Sequence, residues 1–155
     1  MSDTISTGGW TATLIAAGTL PLEGADLAPA GALPEVLSVP SNVLVLQGHG
    51  RTILVDTAAG GRAGEWEGAV DDLDGALAAA GVDASQIDTV ILTHLDFDHC
   101  GGIERDGRPA FAAARVVVSP EAAAWAAETR DPAAAAIRTV DAAELLDVTA
   151  YGEEI

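Results

Sequence analysis

His94, Asp96, Asp98 and His99 place four potential metal ligands within six positions of a 155-residue chain that holds only three His in all. Imidazole and carboxylate together suit zinc, iron or manganese. Side chains two apart in an extended segment point the same way. His94, Asp96 and Asp98 are therefore expected to converge on one space, with His99 turning out from the next position. Metal held there lowers the pKa of a bound water and polarises a carbonyl or phosphoryl oxygen. A polar surface loop is the plainer reading of a lone His beside an Asp. Four such groups opening off an apolar run and closing on Gly101-Gly102 favour a metal loop instead.

The apolar run is Thr89-Val-Ile-Leu-Thr93, a short strand expected to be buried and to end at His94. Loops at strand ends are rigidly held yet face solvent, which suits a site. The glycine pair lets the backbone turn and hug whatever the side chains bind. Upstream, Val43 to Leu46 and Thr52 to Val55 read as a hairpin around Gly48-His49-Gly50, and residues 10–20 read as a first strand. Pro21, Pro29, Pro34 and Pro40 make residues 21–41 read as a long irregular loop. Asp56-Thr57 then leads into a glycine-rich loop at residues 60–64.

Trp66, Val70, Leu73, Leu77 and Ala80 fall at helical spacing, with Asp71, Asp72 and Asp74 expected on the solvent side. Gly81 sits where a left-handed cap belongs. Arg115 to Val118 reads as another strand, and Ser119-Pro120-Glu121 as the start of a helix. Asp131-Pro132 repeats that signal, and Asp141 is expected to cap a third helix through Leu145 and Leu146. Strands and helices sharing a sheet define an α/β, or α+β layered, fold.

Several residues have bland alternatives. Asp56 is either a turn-initiating Asp or a support for the metal loop. Cys100 is better read as a small buried spacer than as a reactive thiol. His49 is expected to be solvated, and Trp66 and Trp125 to be core residues.

Hydrophobic residues make up 49% of the chain and charged residues 20%, which suits one globular domain. The net charge of −17 disfavours nucleic acid and anionic membranes as partners. Every basic residue is Arg. A single Cys allows no internal disulfide, and no basic leader opens the chain, so a cytoplasmic location is the expectation.

The segment His94-Leu-Asp-Phe-Asp-His-Cys-Gly resembles the His-x-His-x-Asp-His-x-Gly signature of the metallo-β-lactamase superfamily. Val43 to Asp56 is similar to that family's hairpin ending in Leu-Val-Asp-Thr, and Ile87 to His94 to its approach to the site. The resemblance implies the N-terminal half of an αββα sandwich, with residues 1–155 forming a single, incomplete domain with a mixed sheet. It implies that His94 holds a first metal and that Asp98 and His99 hold a second. Asp98 would be the catalytic residue, steering the attacking water. Zn2+, one or two ions, is the implied cofactor, with iron or manganese as alternatives. Asp56 would support the loop from behind. Among branches, the layout looks most like lactonases, including quorum-quenching acyl-homoserine lactonases, acting on a small-molecule substrate.

Two departures qualify this. Asp96 stands where the signature has His; a flavo-diiron branch places Glu there. The family also draws further ligands from its later half, and no His follows His99 here. The leading expectation is a metal-dependent hydrolase of small esters or lactones. A truncated or non-catalytic metal-binding chain is the alternative, with at most one ion and little turnover. A di-iron redox protein is a further alternative, and a nuclease is opposed by the charge.

Overall fold

Val45, Leu54, Val90 and Val116 are Cα partners across four successive strands, so alternation puts all four on one face of one sheet. All are at most 1% exposed. Each such side chain stabilises the fold by roughly 1.5–3 kcal/mol when fully buried. The chain is seen in a computed structural model that describes residues 2–65, 67–129 and 132–149.

The strands are β1 (Ser2–Thr7), β2 (Trp10–Glu23), β3 (Val36–Gly48), β4 (Arg51–Val55), β5 (Val70–Asp71), β6 (Thr89–Ile91), β7 (Glu104–Arg105), β8 (Arg108–Pro109), β9 (Arg115–Val118) and β10 (Leu146–Val148). The helices are α1 (Gly24–Leu27), α2 (Leu73–Ala79), α3 (Phe97–Cys100), α4 (Pro120–Glu128) and α5 (Pro132–Ala142). The main sheet runs β1-β2-β3-β4-β6-β9-β10, with β5 paired to β2; β7 and β8 form a separate hairpin. Pairing is antiparallel from β1 to β4 and parallel from β4 to β10, so the sheet is mixed. Leu73 and Leu77 of α2, Ala126 of α4, and Ile137 and Val140 of α5 join the core on the face of Val45 and Leu54. The α/β layering expected from the sequence is what forms.

Several local expectations fail for identifiable reasons. Residues 21–41 are strand at both ends, in 21–23 and 36–41, with α1 and an irregular stretch between: Pro21 pairs with Ser38, and Pro40 with Thr19. Both prolines sit where β2 and β3 form a ribbon beyond the reach of β1 and β4, so a missing N–H leaves no neighbouring strand unpaired. Ser2–Thr7 forms an unforeseen hairpin arm with β2. The helix expected from Trp66 begins only at Leu73. Asp72 caps it, its carboxylate accepting the Gly75 N–H at 3.0 Å. Val70 instead lies in β5 and is 59% exposed. Trp66 and Asp131 lie outside the described residues. Trp125 is 43% exposed and is not core. Asp141 lies within α5 rather than capping a third helix; Glu144 at φ 58° ends the helical path, and Leu146 enters β10 beside β9.

Other expectations hold. Gly81 has φ 76° after α2. Ser119 caps α4 by accepting the Ala122 N–H at 3.2 Å, with Pro120 in the first turn. His49 is exposed, and its ring closes the β1–β2 hairpin by donating from Nε2 to the Gly8 carbonyl at 3.1 Å. Among the described residues, no helix is long and apolar enough to cross a membrane.

Candidate metal centre

The parallel strands β4 and β6 pair in register, Val55 beside Ile91, so the loops leaving their C-terminal ends emerge side by side. The first carries Asp56; the second carries His94 to His99. Backbone bonds join them at once, Asp56 N–H donating to the Ile91 carbonyl at 2.9 Å and Thr57 N–H to the His99 carbonyl at 2.6 Å. The start of β6 is held equally firmly. Arg51 Nε donates to Asp88 Oδ1 at 2.7 Å, and the Thr52 N–H to Asp88 Oδ2 at 2.7 Å. Burial pushes the Asp88 carboxyl up, but the Thr52 N–H, Arg51 and Thr89 together leave it below its ordinary value.

The 94–99 segment is not extended throughout. Asp96 precedes α3, and Asp98 and His99 lie on that short helix. Its four residues therefore project radially, and the alternation expected along a strand stops at Asp96. The rings of His94 and His99 lie with centroids 3.8 Å apart, tilted by 50°. Asp98 Oδ2 is 3.6 Å from His99 Nε2, and Asp96 Oδ2 is 3.6 Å from His94 Nδ1. Asp96 points mostly into solvent, with 83% of its side chain exposed; His99 and Asp98 are about one-third exposed, at 31% and 32%. Two ligands on one tetrahedral zinc, each about 2.1 Å from it, lie roughly 3.4 Å apart. Each pair is thus spaced for an ion, and the nitrogen and oxygen donors suit zinc chemically. Among the described residues, however, no three His, Cys, Asp or Glu groups gather closely enough to enclose one.

Asp56 is the best-anchored carboxylate beside this loop. It is 7% exposed and has φ 62°. Oδ1 accepts the Thr93 N–H at 2.8 Å, and the Thr93 hydroxyl donates to both carboxylate oxygens. Oδ2 accepts from His99 Nδ1 at 2.8 Å. A carboxylate that accepts from Nδ1–H fixes the ring tautomer and leaves the Nε2 lone pair for a metal. Of the two readings offered for Asp56, the support for the loop is the one the geometry matches.

The glycine pair works by close approach. A Cβ on Gly101 would overlap the Ala59 carbonyl oxygen, and one on Gly102 the Thr57 carbonyl oxygen. The metal loop therefore hugs the backbone of the neighbouring loop. Cys100 is fully buried and its thiol donates to the Leu95 carbonyl at 3.3 Å, as a spacer would.

Sequence reasoning missed Ser41, Thr57, Thr93 and Asp71. Ser41 donates to the Asp98 carbonyl at 3.4 Å and Thr57 Oγ1 to the His99 carbonyl at 3.0 Å. Asp71, expected on a solvated helix face, instead accepts the Ala59 and Gly60 N–H groups on Oδ2 at 2.9 and 3.0 Å. Its partners are distant in sequence, so only a polar residue at a strand end hinted at any of this.

The sequence profile of the metallo-beta-lactamase superfamily matches residues 38–153, and the chain belongs to that superfamily. Comparison with curated protein sequences finds no match. Among solved structures, the chain is similar to AidC, described as a dizinc quorum-quenching lactonase in complex with a product. The TM-score is 0.81 at 18% identity, covering 99% of this chain and 63% of that one. It is also similar to a probable metal-dependent hydrolase from Staphylococcus aureus, with TM-score 0.75, 17% identity, and coverage of 97% and 62%. A point mutant of AiiA from B. thuringiensis, with N-decanoyl-L-homoserine bound at its active site, gives TM-score 0.71 at 19% identity, covering 93% and 61%. At these identities the likeness is one of fold, and the chain spans about three-fifths of each relative's length.

Proposed function

We propose that this chain carries the first metal-binding loop of a metal-dependent hydrolase that opens small esters or lactones, with acyl-homoserine lactones as the substrate class to test first. The observation that carries the reading is the Asp56–His99 bond, which orients a histidine with its Nε2 beside Asp98. Zinc is the cofactor the donors suit best, in one or two ions, with iron or manganese as alternatives. His94 and Asp96 would hold one ion, and Asp98 and His99 the other. Such an ion, when bound, supplies Lewis acidity toward a substrate carbonyl and toward a water.

The protein's own residues would do the rest. Asp98, with a third of its side chain exposed, would accept a proton from the attacking water and orient it. Asp56 would hold His99 in one tautomer throughout. A net charge of −17 favours a neutral small molecule over nucleic acid or an anionic membrane. The test is ring opening of an acyl-homoserine lactone by zinc-loaded protein expressed from its complete reading frame. Turnover that chelation abolishes and Asp98→Asn lowers by about 100-fold or more supports the reading. Turnover indifferent to chelator and to Asp98 would reject it.

A further inference from the structure

Asp71 ends β5, the two-residue strand that pairs with β2 beside a bulge at Ala17. Gly18 makes that approach possible, because a Cβ there would overlap the Val70 carbonyl oxygen. The Asp72 N–H donates to the Ala17 carbonyl at 2.9 Å, so the backbone on either side of the Asp71 side chain is anchored to the sheet. From this fixed point the carboxylate accepts the N–H groups of Ala59 and Gly60, and Leu73 N–H reaches its other oxygen at 3.3 Å.

The loop it grips is an uncomfortable one. Asp56, Ala58 and Gly60 all have positive φ, of 62°, 54° and 57°. For Asp56 and Ala58 this conformation is unfavourable in itself and persists only when the surroundings impose it. The same loop carries everything that fixes His99. Asp56 takes the ring nitrogen, and both the N–H and the hydroxyl of Thr57 donate to the His99 carbonyl. Ala58 accepts the Gly102 N–H at 3.2 Å, and Gly60 packs against the Gly101–Gly102 backbone.

We infer that Asp71 is a positioning residue for His99, acting through the 56–60 loop rather than by touching metal or substrate. Its consequence for metal binding rests on the metal-site reading above; its geometry does not. Burial holds the Asp71 carboxyl above its ordinary value, against the pull of its three N–H partners.

The test compares Asp71→Ala, Asp71→Asn and Asp72→Ala. The last removes the cap of α2 next door but no contact to the loop. Zinc affinity is read by competition with a chelating dye, and the His99 tautomer by long-range proton–nitrogen NMR on metal-free protein. Asp71→Ala is expected to weaken zinc binding about tenfold or more and to convert His99 from one Nδ1–H tautomer to a mixture. Asp71→Asn, whose amide oxygen can still accept the two N–H groups, should restore most of both. Asp72→Ala should lower the melting temperature and leave the tautomer alone. A single unchanged His99 tautomer in Asp71→Ala overturns the inference. Should that variant not fold, Asp71→Glu displaces the same carboxylate by one methylene, and the tautomer read there decides in the same way. Wild-type protein that binds no zinc would reject the metal-site reading, while the tautomer comparison would still judge Asp71.

Discussion

His99 Nδ1 donates to Asp56 Oδ2 across 2.8 Å, linking the residue that follows β4 to the short helix α3 that follows its parallel neighbour β6. The carboxylate meets Thr93 with its remaining capacity, so it has no freedom to follow the ring elsewhere. Asp56→Ala should therefore weaken zinc binding by about 10–100-fold. It should also destabilise the fold by roughly 1–3 kcal/mol, because the Thr93 N–H and hydroxyl lose a charged partner. Competition titration and urea denaturation measure the two effects separately.

The backbone contact between the loops leaves no room for a methyl group. Gly101→Ala would drive a Cβ into the Ala59 carbonyl and should cost about 1–3 kcal/mol or more. Gly61→Ala is the matched control, since a Cβ there meets nothing within 4 Å. Urea midpoints that shift equally for the two variants would contradict the close packing.

Asp96 is short and 83% exposed, with Oδ2 3.6 Å from His94 Nδ1. If it contributes a metal bond, Asp96→His should raise zinc affinity, because imidazole reaches further and matches zinc better. Asp96→Ala should lower it by about tenfold. Titration of the three proteins with zinc, iron and manganese decides; equal affinities would remove Asp96 from the ligand set.

Acid should loosen the start of β6. The Asp88 carboxyl lies below its ordinary value of 3.8, so its bonds to Thr52 and Arg51 contribute stability above that value. That contribution is lost as pH falls through the lower, folded-state value. Thermal melts of wild type and Asp88→Asn should thus differ above pH 3.8 and converge below it. A constant gap at every pH would mean the carboxylate charge is not what matters there.

The fold was legible where apolar pattern and local chemistry agreed. The valines of β9 and the Ser119-Pro120 helix start form as their residues suggest, whereas the strand expected to run buried to His94 stops at Ile91, leaving Thr93 exposed. The ribbon of β2 and β3 was hidden because Pro21 and Pro40 signal loops unless the free edges of a two-stranded arm are known in advance. Asp71 was misassigned because Asp-Asp-Leu-Asp at helical spacing describes a solvated face, whereas β5 turns that carboxylate inward. In the candidate site, the four ligand-type residues are readable as a group. Their connections to Asp56, Thr57 and Ser41 come from strand register, which no local pattern states.

The most direct measurement is the zinc retained after dialysis by wild type and by the His94→Ala/His99→Ala double variant, counted by elemental analysis. About one ion per chain, and no more, is expected in the wild type, lost in the double variant. Equal retention by both proteins, or none by either, would contradict a metal site built on these two histidines.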